Sequence, residues 1–194
     1  MTLLTLVRHG QTDWNLARRI QGTTDIPLND TGRADARDAA GRLAGSTHHR
    51  IYASPLARAR ETAEIIAAEL GLAAPELVDD VREREFGEGE GMLVADYIAT
   101  HGDWHAGVPG AETLQQVGAR AMAALHRISR EAHGRSTSDA ESIIVVTHGG
   151  VIRALLDHVS GGMLPREGDL LGNGSAHRFV AEQDVLRLLE PIAG

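Results

Sequence analysis

Cysteine is absent from the 194 residues. That excludes disulfides, thiolate zinc sites, iron–sulfur clusters and a cysteine nucleophile. Lysine is absent as well, so all 19 basic residues are arginines. No lysine Schiff base can form, and no Walker-type lysine can reach a nucleotide phosphate. Positive charge is outnumbered: 27 acidic residues leave a formal net charge of −8, which argues against a general nucleic-acid binder. Long apolar runs are also missing. Leu3 to Val7 is interrupted by Thr5 and stopped by Arg8, too short for a signal-peptide core and far short of a membrane span. The expectation is a cytoplasmic protein with no nucleic-acid or membrane partner, whose chemistry falls to His, Asp, Glu, Ser, Thr and Arg.

What is present reads as one globular unit over residues 1–194, with a small cap-like insertion at about 81–111. A chain this long buries roughly 70% of its unfolded surface and needs no covalent staple. Leu3–Val7 reads as a buried strand, followed by a loop through Pro27. Ala36, Ala39, Ala40 and Leu43 share one helical face, predicting a helix over about 31–44. Arg50–Ala53 is a short strand. Ser54-Pro55 then offers a cap and a first-turn proline for a helix carrying Leu56, Ala59, Ala63, Ile66, Ala67 and Leu70 on one face and closed by Gly71. The acidic, glycine-rich stretch 81–91 is a loop, with a short helix around 94–100. Leu114, Val117, Ala121, Ala124, Leu125 and Ile128 form the stripe of a longer helix ending near Gly134. A polar connection leads to the β-branched strand Ile143–Thr147, a helix over Val151–Val159, and strands at His177–Val180 and Val185–Leu189. This alternation predicts an α/β fold: a three-layer α/β/α sandwich around a mostly parallel central sheet.

The two most hydrophobic strands each end in a histidine followed by glycine, His9-Gly10 and His148-Gly149. Ligands of open α/β sheets bind beyond the carboxyl ends of the strands, so both imidazoles are delivered to one edge, with glycines that leave room for a ligand. Arg8 flanks His9, and Arg58 lies in the first turn after a third strand end. Two guanidiniums, two imidazoles and a helix N-terminus make an anion site suited to phosphate. Taken singly, each residue has an ordinary reading: a strand-end histidine is more often structural than catalytic, and an acidic run such as Glu83, Glu85, Glu88 and Glu90 is usually a solvated face. His101 and His105 are four apart, but Gly102 weakens a helical pair and no third ligand is evident, so no metal and no cofactor is expected. Tyr97, Trp104 and His105 are candidates for a cap over the site, with surface packing an equal reading.

Taken in order, the segments resemble the histidine phosphatase superfamily, which includes the phosphoglycerate mutases. Arg8-His9-Gly10-Gln11-Thr12-Asp13-Trp14-Asn15 is similar to its RHGxTxWN signature, continued by Arg19-Ile20-Gln21-Gly22. Ser54 to Ala59 with Thr62-Ala63 resembles SxLxRAxxTA, Glu83 to Gly87 the acid-bearing segment, and Pro109 to Thr113 the PGGES helix start. Val146 to Gly150 with Ile152-Arg153 resembles the second histidine motif. The resemblance implies His9 as nucleophile through a phosphohistidine, its other ring nitrogen donating to a backbone carbonyl. Arg8, Arg58 and His148 would hold the phosphoryl oxygens, and Glu83 would be general acid and base. Asn15, Gln21, Gly22, Thr23 and Gly149 would line the phosphate pocket. One departure is Gly89, where the family often carries a tryptophan or another bulky residue.

The expected activity is metal-independent hydrolysis of a small phosphomonoester. A 2,3-bisphosphoglycerate-dependent mutase is the alternative, and its relatives usually have a longer insertion with basic residues between the acid and the second histidine. From other classes, a non-catalytic phospho-ligand-binding or scaffold domain would normally lack His9 or Glu83, and a metal-dependent hydrolase would be stopped by chelator. A small phosphorylated substrate is the expected partner, and a homodimer is an assembly relatives adopt.

Overall fold

Branched aliphatic residues dominate the strands that organise the sheet. Strand β4 (Glu141–Thr147) is buried at all seven positions, and β1 (Thr2–Arg8) at most of its own, as befits strands covered on both faces. The computed structural model describes the chain except residues 106, 136–140, 167, 168, 170, 183, 184, 193 and 194; at 133, 135 and 190–192 it describes the backbone alone. Six strands run in the order β3-β2-β4-β1-β5-β6, with β2 at Arg50–Ala53, β3 at Glu76–Leu77, β5 at Ala176–Glu182 and β6 at Val185–Ile192. The first four are mutually parallel, β5 runs against β1, and β6 against β5.

Because side chains alternate along a strand, β4 serves two cores. Ile143 and Val145 pack with the long helix α5 (Leu114–Arg135) and with α6 (Gly149–Ser160), whereas Ile144 and Val146 pack with α2 (Asp30–Leu43) and α3 (Ala57–Leu70). The predicted apolar stripe of α5 is the buried one: Val117, Ala121, Ala124, Leu125 and Ile128 are all fully buried or nearly so. These two clusters, one on each face, make the expected three-layer α/β sandwich around a mixed sheet. Among the described residues, no helix is long and apolar enough to cross a membrane.

Three local expectations change. Helix α3 starts at Ala57, and its N-cap is Leu56 with no side-chain cap; Ser54 is occupied elsewhere, and Asp25 Oδ1 instead accepts from Ala57 N at 2.7 Å. Helix α5 continues through Gly134, and β4 begins at Glu141, so the rest of the polar connection lies outside the described residues. A short helix, α1 (Asp13–Leu16), forms inside the presumed loop because Thr12 and Asn15 close a reciprocal capping box. A 3₁₀ turn at Asp79–Val81 leads into the 81–111 segment, which carries a second at Gly87–Gly89 and then α4 (Val94–His101). It packs a third apolar cluster of Phe86, Tyr97 and Val108 with Ile20.

Candidate active site

Parallel pairing of β1 with β4 sets Arg8 opposite Thr147, so the next residue of each strand leaves the sheet at the same edge. His9 N donates to Thr147 O at 2.9 Å, and the His9 and His148 rings lie 5.1 Å apart at 59°. His9 is 2% exposed and His148 fully buried. His9 Nδ1 stands 2.7 Å from Gly10 O. A carbonyl can only accept, so Nδ1 carries the proton and Nε2 keeps its lone pair. Burial, reinforced by the charges of Arg58 and Arg8, holds the His9 pKa well below the usual histidine range. The ring is therefore neutral, with the tautomer of a nucleophile. Gly10 itself admits another backbone: a Cβ there would meet Gly32 O at 2.1 Å.

His148 is the N-cap residue of α6. Its Nε2 lies 2.8 Å from Ser54 Oγ, while its buried Nδ1 has no hydrogen-bond partner among the described residues. Burial, then the Arg58 charge, keeps His148 well below its ordinary pKa. Arg58, the second residue of α3, is fully buried; it donates through Nη1 to Thr24 O at 2.9 Å and through Nη2 to Gly22 O at 2.7 Å. Arg8 donates through Nη1 to Leu171 O. The Nε atoms of both arginines are buried without hydrogen-bond partners among the described residues. Each unpaired buried donor costs about 1–3 kcal/mol, and unpaired guanidinium nitrogens lining a cavity with His9 suit an anionic ligand.

Of the four carboxylates in the acidic loop, only Glu83 reaches the cavity that Arg8, His9 and Arg58 line. Its Oε1 accepts from Arg84 N at 2.8 Å and its Oε2 from Gly150 N at 3.2 Å in the first turn of α6, where the helix dipole favours a negative group. A Cβ at residue 150 would come within 2.3 Å of Glu83 Oε1, which accounts for glycine there. Glu85 pairs with Arg82, and Glu88 is exposed. Glu90 clamps the phosphate-side loop: Oε1 accepts from Thr23 N and Oγ1, and Oε2 from Thr24 N and Oγ1. Burial works against the Glu90 carboxylate, but these hydrogen bonds outweigh it and hold its pKa below the usual range. Nothing in a single sequence separates Glu90 from Glu88.

The cavity encloses about 500 Å³, the size of a small-ligand pocket. Asn15, Gln21, Gly22 and Gly149 line it; Thr23 does not, having turned its hydroxyl to Glu90. Asn15 Oδ1 and the His9 carbonyl both accept from Asn173 Nδ2, at 3.2 and 3.0 Å. Asn173, on the connection between α6 and β5, was not found from sequence because no periodicity or motif marks it. The walls add Phe86 and Trp104. Tyr97 is fully buried and His105 exposed, so of the three cap candidates only Trp104 faces the cavity. Tyr97 also explains the Gly89 departure: a Cβ at residue 89 would meet the Tyr97 ring at 2.6 Å, so the ring takes the space a bulky residue 89 would need.

Behind Glu83, Arg120 gathers the acid-bearing segment. It donates to the carbonyls of Asp80 and Arg82 at 2.8 Å and of Glu83 at 3.1 Å, and grips Glu112 through two bonds of 2.8 and 2.7 Å. Among the described residues no group of three or more His, Asp or Glu is placed to hold a metal ion. Helix α4 ends at His101, and Gly102 turns away with φ +93°, so His101 and His105 share no helix face.

A buried, neutral histidine at a sheet edge, sharing its cavity with Arg8 and Arg58, suits an anionic ligand, and comparison with known proteins gives the family. The chain belongs to the histidine phosphatase superfamily (branch 1), which it matches over residues 4–190. It is 40% identical over 162 residues, 84% of this chain and 79% of the relative, to a Bacillus subtilis protein named uncharacterized phosphatase PhoE. It is 35% identical over 80% of its length, and 67% of the relative's, to a metal-independent phosphoserine phosphatase of Arabidopsis thaliana. A 2,3-bisphosphoglycerate-dependent phosphoglycerate mutase of Gloeobacter violaceus is 33% identical, covering 82% of this chain and 78% of the mutase. A mycobacterial glucosyl-3-phosphoglycerate phosphatase structure superposes with a TM-score of 0.83 at 26% identity, covering 98% of both chains.

Proposed function

We propose that the chain is a metal-independent phosphatase of small phosphomonoesters working through a phosphohistidine on His9. One observation carries this reading: the Nε2 lone pair of His9, fixed by the Gly10 carbonyl, shares its cavity with Arg8 and Arg58, whose charges act on it, and its ring lies 5.1 Å from that of His148; Arg8 Nε, Arg58 Nε and His148 Nδ1 are buried with no hydrogen-bond partner among the described residues. In the first step Nε2 attacks phosphorus, and the ester oxygen leaves with a proton from Glu83. In the second, water attacks the phosphohistidine while Glu83 takes its proton, freeing phosphate and restoring His9. Dividing one displacement into two lowers each barrier, and donors aimed at the equatorial oxygens supply most of the stabilisation. Ser54 Oγ lies 2.8 Å from His148 Nε2; in this reading the hydroxyl donates to Nε2 and the ring's own proton sits at Nδ1, toward the phosphate. Asn15, Gln21, Gly22 and Gly149 shape the pocket, and Thr23 positions its loop through Glu90.

Hydrolysis is favoured over isomerisation by the interval between Glu83 and His148. Arg84 is spent on the carbonyls of Glu112 and Trp104, Arg120 on the acid-bearing segment, and Arg127 on Asp80, so none of these three is offered to a second phosphate. The names of the phosphatase relatives point the same way. Phosphate release from a panel of phosphomonoesters in EDTA tests the reading, with 3-phosphoglycerate included and its 2-phospho isomer monitored. Release in EDTA is expected. Isomerisation without release would make the chain a mutase, and activity restored only by added metal would overturn the mechanism.

A further inference from the structure

Glu90 lies on the acidic loop with Glu83 but does not line the cavity. Main-chain pairing sets where its side chain can act. Ile20 N donates to Met92 O at 3.0 Å and Gly91 N to Ile20 O at 2.8 Å, which lays residue 90 alongside the turn at Gly22. The approach is close: Gly22 has φ +54°, and a Cβ there would meet Glu90 Oε1 at 2.1 Å. The carboxylate accepts four bonds from this turn. Thr23 donates to Oε1 through N at 2.9 Å and Oγ1 at 3.1 Å, and Thr24 to Oε2 through N at 3.2 Å and Oγ1 at 2.7 Å.

Arg58 grips the same turn from its other side, through the carbonyls of Gly22 at 2.7 Å and Thr24 at 2.9 Å. Gly22 O and Thr23 N belong to one peptide unit, which is planar, so its C=O and N–H point in opposite directions. Arg58 and Glu90 therefore stand at opposite edges of a single rigid plate. The guanidinium is planar too, and two bonds to fixed carbonyls set its orientation. The bonds at the two edges reinforce each other, because a cation on the carbonyl and an anion on the N–H polarise the peptide in the same sense. We infer that Glu90 is a positioning residue for Arg58: through the peptide between Gly22 and Thr23 it holds the guanidinium that lines the cavity in the plane that binds the phosphoryl group. Glu90 acts at a distance from the reacting atoms, and the inference rests on the reading of Arg58 as a phosphate ligand.

A double-mutant cycle tests it. Inorganic phosphate is titrated calorimetrically into the full chain in EDTA, and kcat/KM is measured on an alkyl phosphate and on p-nitrophenyl phosphate. The proteins are wild type, Glu90→Gln, Arg58→Gln and the double variant. Glu90→Gln is expected to weaken phosphate binding and to lower kcat/KM by about ten-fold, the size of one lost bond to a charged group. The loss should be equal on the two esters, because both present the same phosphoryl oxygens. In the Arg58→Gln background the same change should cost less than about two-fold, since the group it acts through is gone. Glu88→Gln, which removes an exposed charge from the same loop, should match wild type. Should Glu90→Gln or Arg58→Gln fail to fold, Thr24→Val and Arg58→Lys carry the same cycle. An equal factor in both backgrounds overturns the inference. So does a loss confined to the alkyl ester, which would place the effect on the acid through Phe86 N, 3.5 Å from Glu90 Oε1, or a lower melting temperature with unchanged phosphate affinity. Each of these leaves the reading of Arg58 standing. Phosphate binding and turnover that Arg58→Gln does not weaken would bring down that reading and the inference together.

Discussion

Arg58 does two jobs with one guanidinium, and substitution should show both. Two of its nitrogens hold the Gly22 and Thr24 carbonyls, and the third, buried with no partner among the described residues, is the one the proposed function gives to phosphate. Arg58→Ala is expected to lower kcat by about 10³ or more, and also to lower the melting temperature, because two buried carbonyls lose their donor. Near-wild-type turnover in a folded variant would remove Arg58 from the reaction. Glu83 has a different signature. As the acid it matters only where the leaving group needs a proton, a contribution of about 10²–10⁴. Glu83→Gln should therefore lower kcat/KM, which reports formation of the phosphohistidine, far more for alkyl phosphates than for p-nitrophenyl phosphate, and equal losses of kcat/KM on both would exclude that role. Strand ends alone delivered Arg8, His9 and His148 to one sheet edge, while their roles came from the family resemblance; spacing could not choose among four carboxylates in one loop, and the resemblance picked Glu83, the one that reaches Gly150 N and the cavity.

At the level of elements, the acid is only as well placed as the segment that carries it. The 79–86 segment is short and irregular, and Arg120 on α5 supplies its order by collecting three carbonyls and Glu112. Arg120→Met should cost about 1.5–3 kcal/mol, the range for hydrogen bonds to a charged group. It should also reduce kcat/KM for alkyl phosphates more than for p-nitrophenyl phosphate, reproducing the Glu83 signature in weaker form. Loss of stability alone, with an unchanged leaving-group profile, would make the clamp purely structural. Periodicity gave the long elements α2, α3, α5, β1 and β4, since their apolar spacing is set by burial. It missed what hydrogen bonding sets: the capping box that forms α1, the Asp25 cap of α3, and the Glu90 clamp. Each joins residues with no shared periodicity, so each becomes visible only when the loops are brought together.

For the whole molecule, the buried histidines couple folding to pH. His9 and His148 are neutral in the fold because burial depresses their pKa values. In the unfolded chain both protonate near 6.5. Below that pH the unfolded state binds more protons, so stability is full above about 6.5 and falls as pH drops toward the folded-state values. Each such proton contributes a slope of about 1.4 kcal/mol per pH unit. Denaturant titrations between pH 7.5 and 5 should show that fall, and it should be shallower in His148→Gln; a flat profile would mean that these rings are charged in the native state. The central claim concerns one bond, between phosphorus and His9 Nε2. Rapid acid-free quenching during turnover of a phosphomonoester in EDTA, followed by mass spectrometry at neutral pH, tests it most directly. The account predicts an acid-labile phosphoryl group on the peptide containing His9, accumulating in Glu83→Gln when the leaving group is good and absent in His9→Ala. Turnover with no adduct in either protein, or an adduct elsewhere, would contradict it.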